Sequence, residues 1–396
     1  MNKSKYDFIL FEHLYNVENH YKDLVILANL LQKAGYKVAI ADVFKEAKLC
    51  KVDNIPHISL DIDCPKEFRT LKTYNRKRSG WVNLYYRIRK DIYIYKILKK
   101  LKGMASNIYI GSLTLATPAF FFTAFDKNTN YFMWALRSAH VLNWKNDKIG
   151  LYHFISKALY RNIHKYKKLN LIVSNDLIKE EFVELVGMDV NRLILRPERV
   201  IKKKQLTKGK GIKAQSLSLL YIGTLRASKN VGFCIEAIKR LNDRRITYTI
   251  AGRCKSDNNY NEKIKKAIKD IPNIIRIDRY IPDEEYEELM RNCDCLVLCD
   301  NKEKSCASNG TMTEALLQGK PIIAPDYDPF KYEIEKYGVG MLYRYNDVDS
   351  LCEIISTALN DGVEHLKDNI ASYQENFIED NVVQKLTEQF KKNEVF

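Results

Sequence analysis

No stretch of about 18 uncharged apolar residues occurs in this chain, so no membrane-crossing helix is expected from it. The opening MNKSKYDFILFEH holds only a short apolar run and reads as a first strand rather than a signal peptide. Neither half has Gly-x-Gly-x-x-Gly after a strand, which removes the dinucleotide oxidoreductases. A disulfide framework is missing too. The nine cysteines are odd in number and scattered, as free thiols in a reducing cytoplasm would be. Cys293, Cys295 and Cys299 cluster, but their run alternates as a strand does and lacks the spacing of zinc ligands, so buried strand is the reading.

Acidic residues are the scarce charge. Lys and Arg number 65 against 49 Asp and Glu, a formal net charge of +16, and such an excess calls for an anionic partner. The excess is concentrated between Arg69 and Lys102, where Arg76, Lys77, Arg78, Arg87, Arg89, Lys90, Lys96, Lys99 and Lys100 face Asp91 alone. Tyr74, Trp81, Leu84, Tyr85, Tyr86, Ile88, Ile92, Tyr93, Ile94, Ile97 and Leu98 are interleaved with them. Aromatic side chains beside cations suit the lipid headgroup boundary. A solvated basic helix packing its aromatic face on the core is the other reading. Lys157, Arg161, Lys165, Lys167 and Lys168 repeat the theme between Ser156 and Lys168.

With 396 residues, 46% of them hydrophobic and 29% charged, two globular domains are expected, each able to bury its own core. Apolar strands alternate with helical periodicity. Strands are expected at Asp7 to Phe11, Tyr36 to Val43, Ile108 to Gly111, Tyr131 to Ala135 and Leu169 to Ser174. Helices are expected at His20 to Ala34, Pro118 to Phe125 and Leu177 to Val186. A Lys- and Gly-rich stretch follows, and the alternation restarts at Leu217 to Gly223. The expected organisation is a domain over 1–200, a linker over 201–215, a second domain over 216–372, and a C-terminal helix over 373–396 that packs back on the first domain. Alternation of this kind gives parallel sheets with helices on both faces. Ligands of such sheets sit beyond the carboxyl ends of the strands, and for two facing domains the expected site is the central cleft.

Two segments carry chemistry. In Leu219 to Asn230 a strand runs into the Gly223 turn, with Thr224, Arg226 and Lys229 just before a helix. Gly223 lets backbone approach a ligand, Arg226 can fork onto phosphate oxygens, and Lys229 acts as a point charge. In Ser305 to Pro325 the small residues Ser308, Asn309 and Gly310 precede a helix containing Thr311 and Glu314. Its free N–H groups and positive dipole end suit a phosphate, and Glu314, about one turn in, can accept from both hydroxyls of a ribose. A surface turn and an ordinary capped helix are the bland alternatives.

As a set, the two segments resemble glycosyltransferase family 4 and its GT-B relatives. The resemblance rests on Gly223, Leu225, Arg226, Lys229 and Asn230, then on Ser308, Gly310, Thr311, Glu314, Ala315, Gly319, Lys320, Pro321, Ile323 and Ala324. Pro282 to Tyr286 resembles the loop near the base. Val339-Gly340 and Asn346-Asp347 resemble the turn and loop after the last strands. This likeness spans roughly residues 217 to 360, and the N-terminal half resembles the family only in outline. It departs at Cys306, where the family has a Glu that contacts the donor sugar, and at Thr224, where an arginine is usual; a divergent branch is implied.

What the resemblance implies is an α/β protein of GT-B fold, two doubly wound Rossmann-like domains facing a central cleft, acting as a glycosyltransferase. The donor would be a nucleotide diphosphate sugar, a hexosyl donor by expectation. Arg226 and Lys229 would neutralise the diphosphate, the amides of Asn309 to Thr311 would add to it, and Glu314 would hold the ribose. Arg253, Arg279 and Tyr280 would border the base. No metal or other cofactor is implied, because cations and a helix end take that place and no Asp-x-Asp stands beside the nucleotide. On the acceptor side Glu12, His13, His20, Arg137 and His140 follow strands. Glu12 and His140 are the preferred pair for a general base. Retaining and inverting outcomes both stay open. Enzymes of this resemblance build surface polysaccharide on glycan or lipid-linked glycan acceptors, which gives the basic aromatic segment a use: peripheral attachment to the inner face of the plasma membrane from the cytoplasm. A GT-B sugar-nucleotide epimerase or hydrolase and a non-catalytic basic binding protein are the alternatives. A nucleic-acid partner is not expected.

Overall fold

Runs such as Phe8-Ile9-Leu10-Phe11 and Leu219-Leu220-Tyr221-Ile222 have no polar alternation, and every one of these side chains is buried. A strand apolar on both faces needs cover on both, which a parallel sheet between helical layers supplies. A computed structural model describes residues 5–12, 18–42, 54–60, 62, 80–113, 128–135, 151–202, 216–254, 258–302 and 309–392. It divides into two units, Met1–Val200 with Glu379–Phe396, and Ile201–Ile378. The expected helix Pro118 to Phe125 and most of the linker lie outside the described residues.

In the first unit the strands are β1 (Tyr6–Phe11), β2 (Val38–Asp42), β3 (His57–Ser59), β4 (Ala105–Leu113), β5 (Asn130–Ala135), β6 (Leu169–Val173) and β7 (Leu193–Leu195). All are parallel, in the order β3-β2-β1-β4-β5-β6-β7. Its helices are α1 (Glu18–Lys33), α2 (Gly80–Leu101), α3 (Leu151–Arg161) and α4 (Asp176–Val186). Leu24, Leu27, Ala28 and Leu31 of α1 recur at helical spacing and are buried against the sheet. Asn175 caps α4 by accepting from the Ile178 amide at 2.9 Å, and Gly187, at φ +67°, ends it.

The second unit repeats the plan. Strands β8 (Leu217–Ile222), β9 (Ile246–Ala251), β10 (Ile274–Ile277), β11 (Cys295–Val297), β12 (Ile322–Pro325) and β13 (Gly340–Tyr343) run parallel in the order β10-β9-β8-β11-β12-β13. Around them lie α5 (Val231–Leu241), α6 (Asn258–Ile268), α7 (Asp283–Asn292), α8 (Gly310–Leu317), α9 (Phe330–Tyr337), α10 (Val348–Asp361) and α11 (Lys367–Glu375). Strand order reverses between β1 and β4 in one sheet and between β8 and β11 in the other. That reversal opens a crevice at the carboxyl ends.

The last helix, α12 (Glu379–Lys392), belongs to the first unit. Val382, Leu386 and Phe390 are buried in its core, with the Phe390 ring 5.5 Å from those of Phe8 and Phe132. Gln389 accepts from the Leu195 amide at 2.7 Å and donates to the Leu195 carbonyl at 3.1 Å, satisfying the edge strand β7.

One expected turn is a strand. Gly340 opens β13 rather than following the last strand, and a Cβ there would fall 2.2 Å from the Ile322 carbonyl oxygen. The glycine marks close approach of two strands, not a reversal of the chain. Strands β3 and β7, each of three residues, are also additional to those expected.

Phe390→Ala is expected to cost about 3–5 kcal/mol by emptying a core position shared by three aromatic rings, read as a lower urea midpoint for the first unit.

Candidate donor site

At the reversal point of the second sheet the chain leaves β8 through Gly223, whose φ is +138°. Its amide donates to the Ala251 carbonyl at 3.0 Å. One strand over, β9 ends in Gly252 at φ +130°, and a Cβ there would fall 1.9 Å from the Gly223 carbonyl oxygen. Two bare backbone turns therefore lie against each other, and no side chain fits at position 252. Leu225 then pairs with Cys254, its amide donating to the Arg253 carbonyl at 3.1 Å.

Arg226 is extended and exposed. It opens a single 3-10 turn, Ala227–Lys229, before Asn230, in the left-handed region, leads into α5. The turn is tied to the chain after β11, for the Asn301 amide donates to the Ser228 carbonyl at 2.9 Å. Lys229 Nζ lies 2.5 Å from Asp300 Oδ1. Asp300 is buried, and its second carboxylate oxygen has no hydrogen-bond partner among the described residues. Burial raises its pKa above the ordinary aspartate range, with Lys229 pulling it back. The Tyr327 hydroxyl donates to the Asp300 carbonyl.

The second segment arrives from α8. Asn309 caps the helix, its Oδ1 accepting from the amides of Thr311 at 3.1 Å and Met312 at 3.2 Å. The Thr311 amide, expected to face a phosphate, thus already has a partner, while the Gly310 amide has no acceptor among the described residues. Glu314 is half-buried one turn further on. What joins the two segments is Gly223: a Cβ on it would sit 4.0 Å from Thr311 Oγ1, so the glycine turn and the helix start border one space.

The other expected residues are distributed as follows. Lys320 is buried and donates to the carbonyls of Arg291 at 2.8 Å and Cys293 at 2.7 Å, which makes it a strut from the approach to β12 to the C-terminal end of α7. Arg253 and Tyr280 are exposed beyond β9 and β10. Arg279 is held by Glu285 through two bonds of 2.5 and 2.7 Å. Ser308, His13, Arg137 and His140 lie outside the described residues, as does the side chain of His20. Glu12 is buried at the end of β1, and its carboxylate covers Gly111 of β4, where a Cβ would meet Oε2 at 2.2 Å. Gly252 and Asp300 were not singled out from sequence. Gly252 has the same strand-then-glycine signal as Gly223; Asp300 had none beyond following a strand.

Two doubly wound parallel units make this a GT-B fold. Solved structures share it across almost the whole chain. WaaB, an apo lipopolysaccharide outer core galactosyltransferase, is 15% identical with a TM-score of 0.66, covering 97% of this chain and 99% of its own. Sucrose-phosphate synthase from Thermosynechococcus elongatus is 13% identical at 0.66, covering 98% of each chain. Anabaena Alr3699/HepE, solved in complex with UDP, is 11% identical at 0.68, covering 98% of this chain and 100% of its own. At such identities the likeness is one of fold. No curated protein matches the chain. Residues 202–377 match the family described as glycosyl transferases group 1, so the second unit is a domain of that family and the chain is a glycosyltransferase.

Gly252→Ala is expected to destabilise the second unit by about 2–3 kcal/mol or more, since the new methyl group must displace backbone at a left-handed position. Gly310→Ala, with no described atom within 4 Å of its Cβ, should change stability by less than about 1 kcal/mol in the same urea titration.

Proposed function

We propose that this glycosyltransferase takes a hexosyl group from a nucleotide diphosphate sugar held at the carboxyl edge of the second sheet and passes it to a glycan or lipid-linked glycan acceptor, in surface polysaccharide synthesis. The approach of Gly223 to Thr311 carries this reading. It sets a turn bearing two cations beside a helix start whose Gly310 amide is unclaimed among the described residues, a combination suited to a diphosphate. Arg226, exposed and without an ion pair among the described residues, would fork onto the phosphates as charge builds on the leaving group. Lys229 would add a second positive charge, poised by Asp300. Glu314 would accept from the ribose, and Arg253 and Tyr280 would border the base. Complexes of the HepE structure with UDP and with UDP-glucose support a uridine donor as the first to try. No metal is assigned, because the positive charge a metal would bring is supplied by side chains.

A thermal-shift titration with UDP and UDP-hexoses tests this. UDP is expected to raise the melting temperature of the wild type. Arg226→Ala should weaken it about tenfold or more, the loss of one charge-assisted hydrogen-bond pair. An unchanged affinity in Arg226→Ala would remove the assigned role.

We also propose that the first unit sits on an anionic membrane surface. Val82, Tyr85, Ile88, Ile92 and Tyr95 lie at helical spacing along α2, and each is 40–56% exposed. The opposite face, Tyr93, Ile94, Ile97, Leu98 and Leu101, is buried. Arg89, Lys96 and Lys99 flank the exposed stripe. On α3, Phe154 is 72% exposed near Lys157 and Arg161. An apolar stripe bordered by cations supports an interfacial helix lying on a cytoplasmic leaflet. Among the described residues no helix is long and apolar enough to cross a membrane.

Co-flotation with vesicles containing anionic lipid is expected at low salt and should fade as salt rises. The double variant Ile88→Asp, Ile92→Asp should abolish it without lowering the melting temperature. Equal flotation with zwitterionic vesicles in high salt would count against the charged-surface reading.

A further inference from the structure

Strand alternation in the first sheet runs one step past the apolar core. Leu10, Tyr109, Trp134, Ile172 and Ile194 share the face covered by α1 and α12, in registers that set Leu10 beside Tyr109, Trp134 beside Ile172, and Ile172 beside Ile194. Two residues on, the same face receives Glu12, Gly111, Ser174 and Arg196, a polar row at the carboxyl edge. Arg196 is the anomaly in it. It is fully buried, and none of its three guanidinium nitrogens has a hydrogen-bond partner among the described residues. The guanidinium lies over the Trp134 ring, 4.4 Å from its centroid. Among the described residues Trp134 Nε1 and Ser174 Oγ are likewise buried without a partner. Asp23, Glu198 and Tyr109 act on Arg196 only through space, and Tyr109 feels Glu12 as well.

A guanidinium cannot shed its proton, so titration does not relieve this arrangement. Buried donors left unmade are costly, and the cost is greatest for a charged group. Its planar fork matches the two oxygens of a carboxylate or phosphate, and the stacked indole fixes its plane. We infer that Arg196, with Trp134 Nε1 and Ser174 Oγ as further donors, forms a subsite for an oxyanion group of a small molecule. Resting on the function proposed above, that molecule is the sugar acceptor, which therefore carries a carboxylate or a phosphate. The same polar edge of the sheet carries Glu12, the carboxylate expected from sequence to serve as base.

The indole N–H resonances of the full chain test this, for only three tryptophans are present and Trp134→Phe assigns the relevant one. UDP is first added to saturation, and its own effect on melting temperature reports separately on the donor site; no UDP effect would sink the donor reading while leaving this test intact. Inorganic phosphate or acetate is then titrated. The Trp134 signal is expected to move and saturate with one of them, phosphate marking a phosphorylated acceptor and acetate a carboxylated one. Arg196→Met should abolish the shift with no fall in melting temperature, because it removes an unpaired buried charge. Arg196→Lys should keep the shift with at least several-fold weaker binding. A Trp134 signal unmoved by either anion in the wild type, or moved equally in Arg196→Met, would overturn the subsite.

Discussion

The carbonyl oxygen of Gly223 occupies the place that a side chain at residue 252 would need. Because both turns are glycine, β8 and β9 can end side by side with their backbones in contact, and Gly223 can face the start of α8 instead of being covered. The rest of the second unit's edge follows from that contact. Leu225 pairs with Cys254 only because the two chains leave their strands together, and this pairing launches Arg226 in an extended conformation into the short turn that presents Lys229. A side chain at residue 252 would part the strands and carry both cations away from the helix start, whereas one at residue 223 would stand in the space before that helix.

Charge at this edge is arranged with the same economy. Lys320 stands in the Gly-Lys-Pro run that carries part of the family likeness, yet it is buried with its ammonium bonded to two carbonyls. Lys229 keeps its ammonium near the surface, where a buried aspartate holds it. Asp300 has one oxygen on Lys229 and one that no described residue meets. An incoming diphosphate would compete with Asp300 for Lys229, and desolvation already biases that carboxylate toward its neutral form.

The two parallel sheets were legible because buried parallel strands leave nearly continuous apolar runs and the helices between them keep a 3.6-residue period. Strands β3 and β7 escaped because three residues carry too little pattern, and β13 escaped because Gly340 looks like a turn until the Ile322 carbonyl lies against it. Of the donor site, the residue types were readable and their partners were not. Nothing in the sequence says that Asn309 uses its own side chain on the Thr311 amide, or that Asp300 comes to Lys229 from another strand. Arg196 was invisible for a different reason: a charged residue just after a short strand reads as surface until the fold buries it.

The family match ends at residue 377, and the second unit ends at Ile378, one residue before α12 begins. The donor unit is thus an insertion in the first unit, whose core is completed by Phe390 and whose edge strand is satisfied by Gln389. Closing a loop this long costs little more than closing a short one, about 0.6 kcal/mol for each doubling of length. Burying Phe390 alone returns about 1.5–3 kcal/mol. The return of α12 is therefore favourable on packing grounds by itself. The first sheet draws its cover from α1 before the inserted unit and from α12 after it, so its apolar face cannot be fully sealed until the second unit has been made.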